Sequence, residues 1–162
     1  MEPLTEQEIR AAFVNCTKGE AKRLALPRDL AERPWEDLDF FGWRDPAATD
    51  RGYLVAESGA GPVGVALRVA PPGGHLRRSM CSLCLTTHTG DGVALMTARK
   101  AGPSGRQGNS VGVYICSDLA CSLHLRGRKD SGRALDETLS LEEKVARTRA
   151  NLAAFVAKVT TA

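Results

Sequence analysis

Four of the chain's five cysteines stand in two close pairs. Cys81 and Cys84 bracket Ser-Leu, and Cys116 and Cys121 bracket Ser-Asp-Leu-Ala, with 31 residues between the pairs. Two sulfurs at such a spacing can bind one metal ion, and two such pairs complete a tetrahedral thiolate site for zinc. A closed four-sulfur site leaves no position for water or substrate, so its Zn2+ builds structure rather than performing catalysis. His88, four residues after Cys84, and His124, three after Cys121, are alternative ligands. They rank behind the sulfurs, which already fill a tetrahedron. A redox dithiol is the competing use of the pairs. Cys16 is left over and reads as a small buried apolar residue.

The elements that must carry these ligands follow from the pattern. Val93 to Ala98 and Ser110 to Ile115 read as strands around a flexible tip, Gly102-Pro103-Ser104-Gly105. The second strand delivers Cys116, and Ser117-Asp118 reads as the cap of a helix holding Leu119, Cys121, Leu123 and Leu125. The unpaired amides of a helix start favour thiolate at Cys121. Knuckle, hairpin and helix in this order form a treble-clef layout. Ahead of it, Tyr53 to Glu57 and Val63 to Val69 predict a second hairpin around Ser58-Gly59-Ala60-Gly61. Pro71-Pro72-Gly73-Gly74 breaks the chain.

Three capping boxes, Thr5 to Glu8, Thr17 to Glu20 and Ser140 to Glu143, open helices. The first puts Ile9, Ala12, Phe13 and Cys16 on one face. The last carries Leu141, Val145, Leu152, Phe155, Val156 and Val159 as a core stripe. Residues 27 to 51, with three prolines, read as irregular chain anchored by Trp35, Phe40, Phe41 and Trp43. The expected organisation is α+β: N-terminal helices over 1–26, a treble-clef zinc-finger region with an extra hairpin over 27–133, and a C-terminal helix over 134–162. Residues 127 to 133 read as a polar linker.

Charge is unevenly spread. Residues 27 to 51 hold seven acids and four bases. Residues 68 to 133 hold ten bases (Arg68, Arg77, Arg78, Arg99, Lys100, Arg106, Arg126, Arg128, Lys129, Arg133) and three acids (Asp91, Asp118, Asp130). The metal-bearing stretch is the basic part, which points to an acidic partner or nucleic acid, against the plainer reading of a solvated face. No apolar run reaches the roughly 18 residues of a membrane span. The acidic, polar start of the chain is unlike a secretory signal peptide, so a cytoplasmic protein with reduced thiols is expected.

Met80 to Cys84, followed by Gly108 to Cys121, resembles the zinc-finger domain of the elongation-factor-G-binding family, the FusB-type fusidic-acid-resistance proteins and their FBP-type relatives. The resemblance is strongest over residues 75 to 128. It implies that Cys81, Cys84, Cys116 and Cys121 hold one structural zinc. It also implies that the domain binds elongation factor G and promotes its release from a stalled ribosome. The resistance proteins carry a substantial helical domain ahead of the finger, where this chain offers one or two short helices.

Two further function classes compete with factor binding. A ribosome- or RNA-binding zinc module would use the basic stretch on phosphates, but Tyr114 is its only aromatic for base stacking. An enzyme is not expected: no Gly-rich phosphate loop, Ser-His-Asp set or carboxylate pair is evident, and His75 sits in a Gly-Pro loop. The candidate partner contacts are Leu83 on the knuckle, Arg99, Lys100 and Arg106 around the hairpin tip, and Arg126 and Arg128 after the helix. An apolar residue ringed by arginines has the composition of an interface.

Overall fold

The computed structural model describes residues 1–72, 79–131 and 136–161. Its frame is a five-stranded antiparallel sheet in the order β1-β2-β3-β6-β7. These strands are β1 (Phe40–Arg44), β2 (Arg51–Ser58), β3 (Gly61–Val69), β6 (Val93–Arg99) and β7 (Ser110–Cys116). Between β3 and β6, β4 (Ser79–Met80) and β5 (Thr87–His88) form a separate two-stranded ribbon. The helices are α1 (Glu6–Ala12), α2 (Lys18–Lys22), α3 (Gly102–Arg106), α4 (Cys121–Leu125) and α5 (Leu141–Thr160), and Trp35–Asp37 is a single 3-10 turn.

Around β1 and β2 both faces of the sheet are buried. One face carries Phe41, Trp43, Tyr53 and Val55, covered by Ile9 and Ala12 of α1 and by Trp35. The other carries Phe40, Leu54, Val65, Leu67, Met96 and Ile115, covered by the cysteine cluster and by Leu152, Phe155 and Val159 of α5. This explains why β1 escaped the sequence reading. A strand covered on both sides shows a continuous apolar run rather than alternation. The segment expected to be irregular is thus irregular only up to its aromatics, which form an edge strand paired with β2, Phe40 opposite Ala56 and Trp43 opposite Tyr53.

All three capping boxes are formed, with Thr5, Thr17 and Ser140 each accepting from the amide three residues on. The first helix is shorter than expected. It ends at Ala12 because Phe13 turns extended, bridges to Gly64 and packs its ring edge-on to Trp43 and Tyr53. Tip residues 102 to 106 form one helical turn rather than a flexible loop. On α5 the fully buried face begins at Thr148; of the expected stripe, Val145 is half-buried and Leu141 is 51% exposed. His75, Arg77, Arg78 and Arg133 lie outside the described residues.

Candidate metal centre

The first ligand pair sits in a tight turn between β4 and β5. Leu85 N–H donates to the carbonyl of Cys81 (2.9 Å), and Leu83 and Cys84 aim their amides at the Cys81 Sγ (3.4 and 3.5 Å). Leu85 closes the turn in the left-handed region, φ 57°. β7 supplies Cys116 from its last residue, and α4 supplies Cys121 from its first.

The expected cap at Ser117-Asp118 is displaced. Leu119 takes a left-handed backbone (φ 58°), Asp118 Oδ1 accepts from Ala120 N–H, and the helix starts only at Cys121. A bend of this kind is costly for a leucine. It is held because the Leu119 side chain, 2% exposed, fills a recess over Gly42 and Gly52.

All four sulfurs are buried and lie within 4.8 Å of one another. Cys81 Sγ is 3.7 Å from Cys121 Sγ, and Cys84 Sγ is 3.6 Å from Cys116 Sγ. Four sulfurs at about 2.3 Å from a central zinc stand roughly 3.8 Å apart. The cluster therefore fits one tetrahedral zinc and is far too wide for a disulfide, whose bond is about 2.05 Å.

The electrostatics agree. Hydrogen bonds from Cys116, then from Cys121, pull Cys81 far below an ordinary thiol and lower Cys84. Cys121 is pushed far up by Cys116, Cys81, Cys84 and full burial. For Cys116, the lowering hydrogen bond from Cys121 is outweighed by Cys81, Cys84 and burial. Thiols crowded in a dry site cannot all ionise alone, and a divalent cation removes that conflict.

The two histidines form the next ring outward. His88 Nε2 stands 3.2 Å from Cys116 Sγ, at hydrogen-bond distance from a ligand sulfur. Its basicity is lowered by burial and by His124. The His124 nitrogens face Asp118 Oδ2 (2.9 Å) and the Lys129 carbonyl (3.3 Å), and its ring packs edge-on to His88. His88, Cys116 and His124 make a second close group, but both His124 nitrogens already have partners. Such outer partners orient and stabilise first-ring ligands. Only their sequence distance from the cysteines signalled them.

The proposed contact residues divide. Leu83 is 2% exposed: it is a core residue, because its side chain packs inward while Asn151 of α5 donates to its carbonyl (3.0 Å). Arg126 is likewise drawn inward, donating twice to the fully buried carboxylate of Asp39 (2.6 and 3.1 Å), which Arg149 also reaches (3.0 Å). Arg128 pairs with Asp37 at 3.4 Å. The acidic stretch folds onto the basic one, so part of the charge asymmetry is satisfied within the chain. Arg99 and Arg106 are exposed and Lys100 is half-buried, around the tip as expected.

The chain matches the family model of the FBP C-terminal treble-clef zinc finger over residues 8–159. It belongs to that family. The match reaches well beyond the cysteine motifs, over most of α1, the first hairpin and nearly all of α5. No curated protein and no solved structure matches the chain. The FBP-type finger here suits one structural zinc, held by Cys81, Cys84, Cys116 and Cys121. No helix among the described residues is long and apolar enough to cross a membrane.

Proposed function

We propose that this chain is a non-enzymatic protein that binds elongation factor G, with release of the factor from the ribosome as the activity that binding serves. The observation that carries this reading is the family match over residues 8–159, joined to the resemblance of the cysteine motifs to factor-binding proteins. Two features support it. The four buried sulfurs fill a tetrahedron and leave no coordination position for a substrate. The tip of the zinc hairpin carries Arg99, Lys100 and Arg106 outside any salt bridge among the described residues. With Leu83 buried, the apolar contribution to an interface passes to Tyr114, 53% exposed, and Met80, 43% exposed.

The exposure of Tyr114, on the strand that runs from these cations, also favours a second reading, ribosomal RNA binding, since an open aromatic ring can stack on a base. A surface-binding assay with the zinc-loaded protein against purified elongation factor G and ribosomal RNA, in parallel, separates the two. Changing Arg99, Lys100 and Arg106 together to Ala should slow association with the factor while zinc content stays constant. Tight RNA binding with no detectable factor binding overturns the first reading in favour of the second.

A further inference from the structure

β7 is the last strand of its sheet, and among the described residues no further strand pairs with its outer edge, which Ser82 alone reaches by a main-chain bond. Two hydrogen bonds fix which way its main-chain groups point. Ala70 N–H donates to Leu95 O (2.9 Å) from the β3 side, and Ser82 N–H donates to Tyr114 O (2.7 Å) from outside. Leu95 and Tyr114 stand opposite each other, so they form a non-bonded pair of the antiparallel ladder. Alternation then turns the N–H and C=O of Gly112 outward too, and among the described residues neither finds a partner.

Gly112 itself is unexplained by the fold. A Cβ there would meet Leu95 Cδ1 at 3.4 Å and Thr97 Cγ2 at 3.9 Å, ordinary contacts, and the ladder runs through it without a bulge. A glycine inside a strand weakens it, and one common reason to keep it is the close approach of another backbone. Along this edge runs a groove of about 430 Å³, lined by Leu95, Val113, Tyr114, Ala154, Phe155 and Lys158 among others. Among the described residues Lys158 is the only charged one in the lining. Lys100 and Arg106 lie in the turn that leads into β7, and among the described residues none of these three cations makes a salt bridge.

We infer that the outer edge of β7 accepts an extended acidic segment of a partner protein as an added strand. The N–H and C=O of Gly112 and the N–H of Tyr114, whose carbonyl is held by Ser82, would supply the hydrogen bonds, the groove would take alternate side chains, and Lys158 would meet a carboxylate. A second copy of this chain is a poorer occupant, because it brings another Lys158 groove and no carboxylate to it. The inference goes beyond the proposed function and does not rest on the partner being elongation factor G.

The test uses a short end-blocked peptide of alternating Val and Asp with the zinc-loaded chain. It should bind, and amide exchange at Gly112 and Tyr114 should slow. Gly112→Pro removes the outward N–H but no ladder bond, and proline is tolerated at an edge. That variant should bind roughly tenfold more weakly, whereas Gly112→Ala should match the wild type. Should Gly112→Pro lose zinc or melt early, the unchanged chain with a peptide N-methylated at alternate residues asks the same question and should show the same loss. A Lys-for-Asp peptide should also bind less. Three results overturn the inference: no binding of the acidic peptide, binding indifferent to both Gly112→Pro and N-methylation, or a wild-type dimer that Gly112→Pro dissolves. Elongation factor G binding without any binding of the acidic peptide refutes the edge but keeps the proposed function. Peptide binding without factor binding does the reverse.

Discussion

A Cβ placed on Gly42 would stand 2.8 Å from the Cβ of Leu119. Gly42 lies on β1 at one edge of the sheet, and Leu119 lies in the bend between two zinc ligands. The missing side chain lets the bend seat itself, and the bend aims Cys121 into the cluster. Gly42→Ala should therefore destabilise the protein by about 1–3 kcal/mol through overpacking. It should also speed zinc release to a chelator, although residue 42 touches no ligand. Thermal melting and a chelator-competition assay measure both. Unchanged values would detach Leu119 from the geometry of the site.

The purified protein should hold one zinc per chain, and removing it should unfold the knuckle and the β6–β7 hairpin together. Ligands this far apart in sequence make metal binding a part of folding free energy. Cys121→Ser should lower the melting temperature well below that of Cys16→Ala. Cys16 is only half-buried and stands outside the cluster, its thiol pushed up by burial and then by Glu20. Equal melting of the two variants would contradict the four-sulfur assignment.

Asp39 holds the edge strand to α4 and α5 through Arg126 and Arg149. Asp39→Asn should cost about 3–5 kcal/mol, the usual range for breaking a buried pair from one side. Nearly all of it should come from Arg126, since Arg149 is 60% exposed and its pairing is screened by water. Replacing both partners, Asp39→Leu with Arg126→Met, should recover much of the loss in chemical denaturation. A double variant no better than the single one would show that the pair acts by more than charge compensation.

Tyr53 gives a pH dependence. Burial, then its hydrogen bond to Asp45 and the Asp45 charge, raise its hydroxyl from an ordinary 10.0 to about 12. The folded state thus keeps a proton that the unfolded state releases first. This contribution to stability is complete below pH 10, declines as pH rises from there towards 12, and is lost beyond. Tyr53→Phe should flatten that alkaline decline, at a cost near neutral pH of about 1 kcal/mol for the hydrogen bond. An alkaline melting profile identical in the two proteins would exclude Tyr53 as the titrating group.

The metal centre was legible because cysteine spacing states it directly, and the capping boxes because they are local. The two hairpins were legible from alternation and turn residues. What escaped was non-local. β1 was hidden by burial on both faces, which erases alternation in Phe40 to Trp43. The left-handed bend at Leu119 looked like helix because only Gly42 and Gly52, far away in sequence, make room for it. Leu83 looked like an exposed knuckle residue because nothing local reveals that α5 lies over it. Arg126 and Arg128 looked free because their acids lie about ninety residues earlier.

The Asp39–Arg149 contact spans 110 positions of sequence. On a ribosome, Asp39 is made long before the helix that completes its surroundings. Until α5 emerges, the nascent sheet also lacks the cover supplied by Leu152, Phe155 and Val159, with its open apolar face available to chaperones or to other chains. A helix translated after every zinc ligand therefore acts as a latch on the whole domain. A chain cut short before residue 141 should fail as a folding unit, even with every zinc ligand already synthesised.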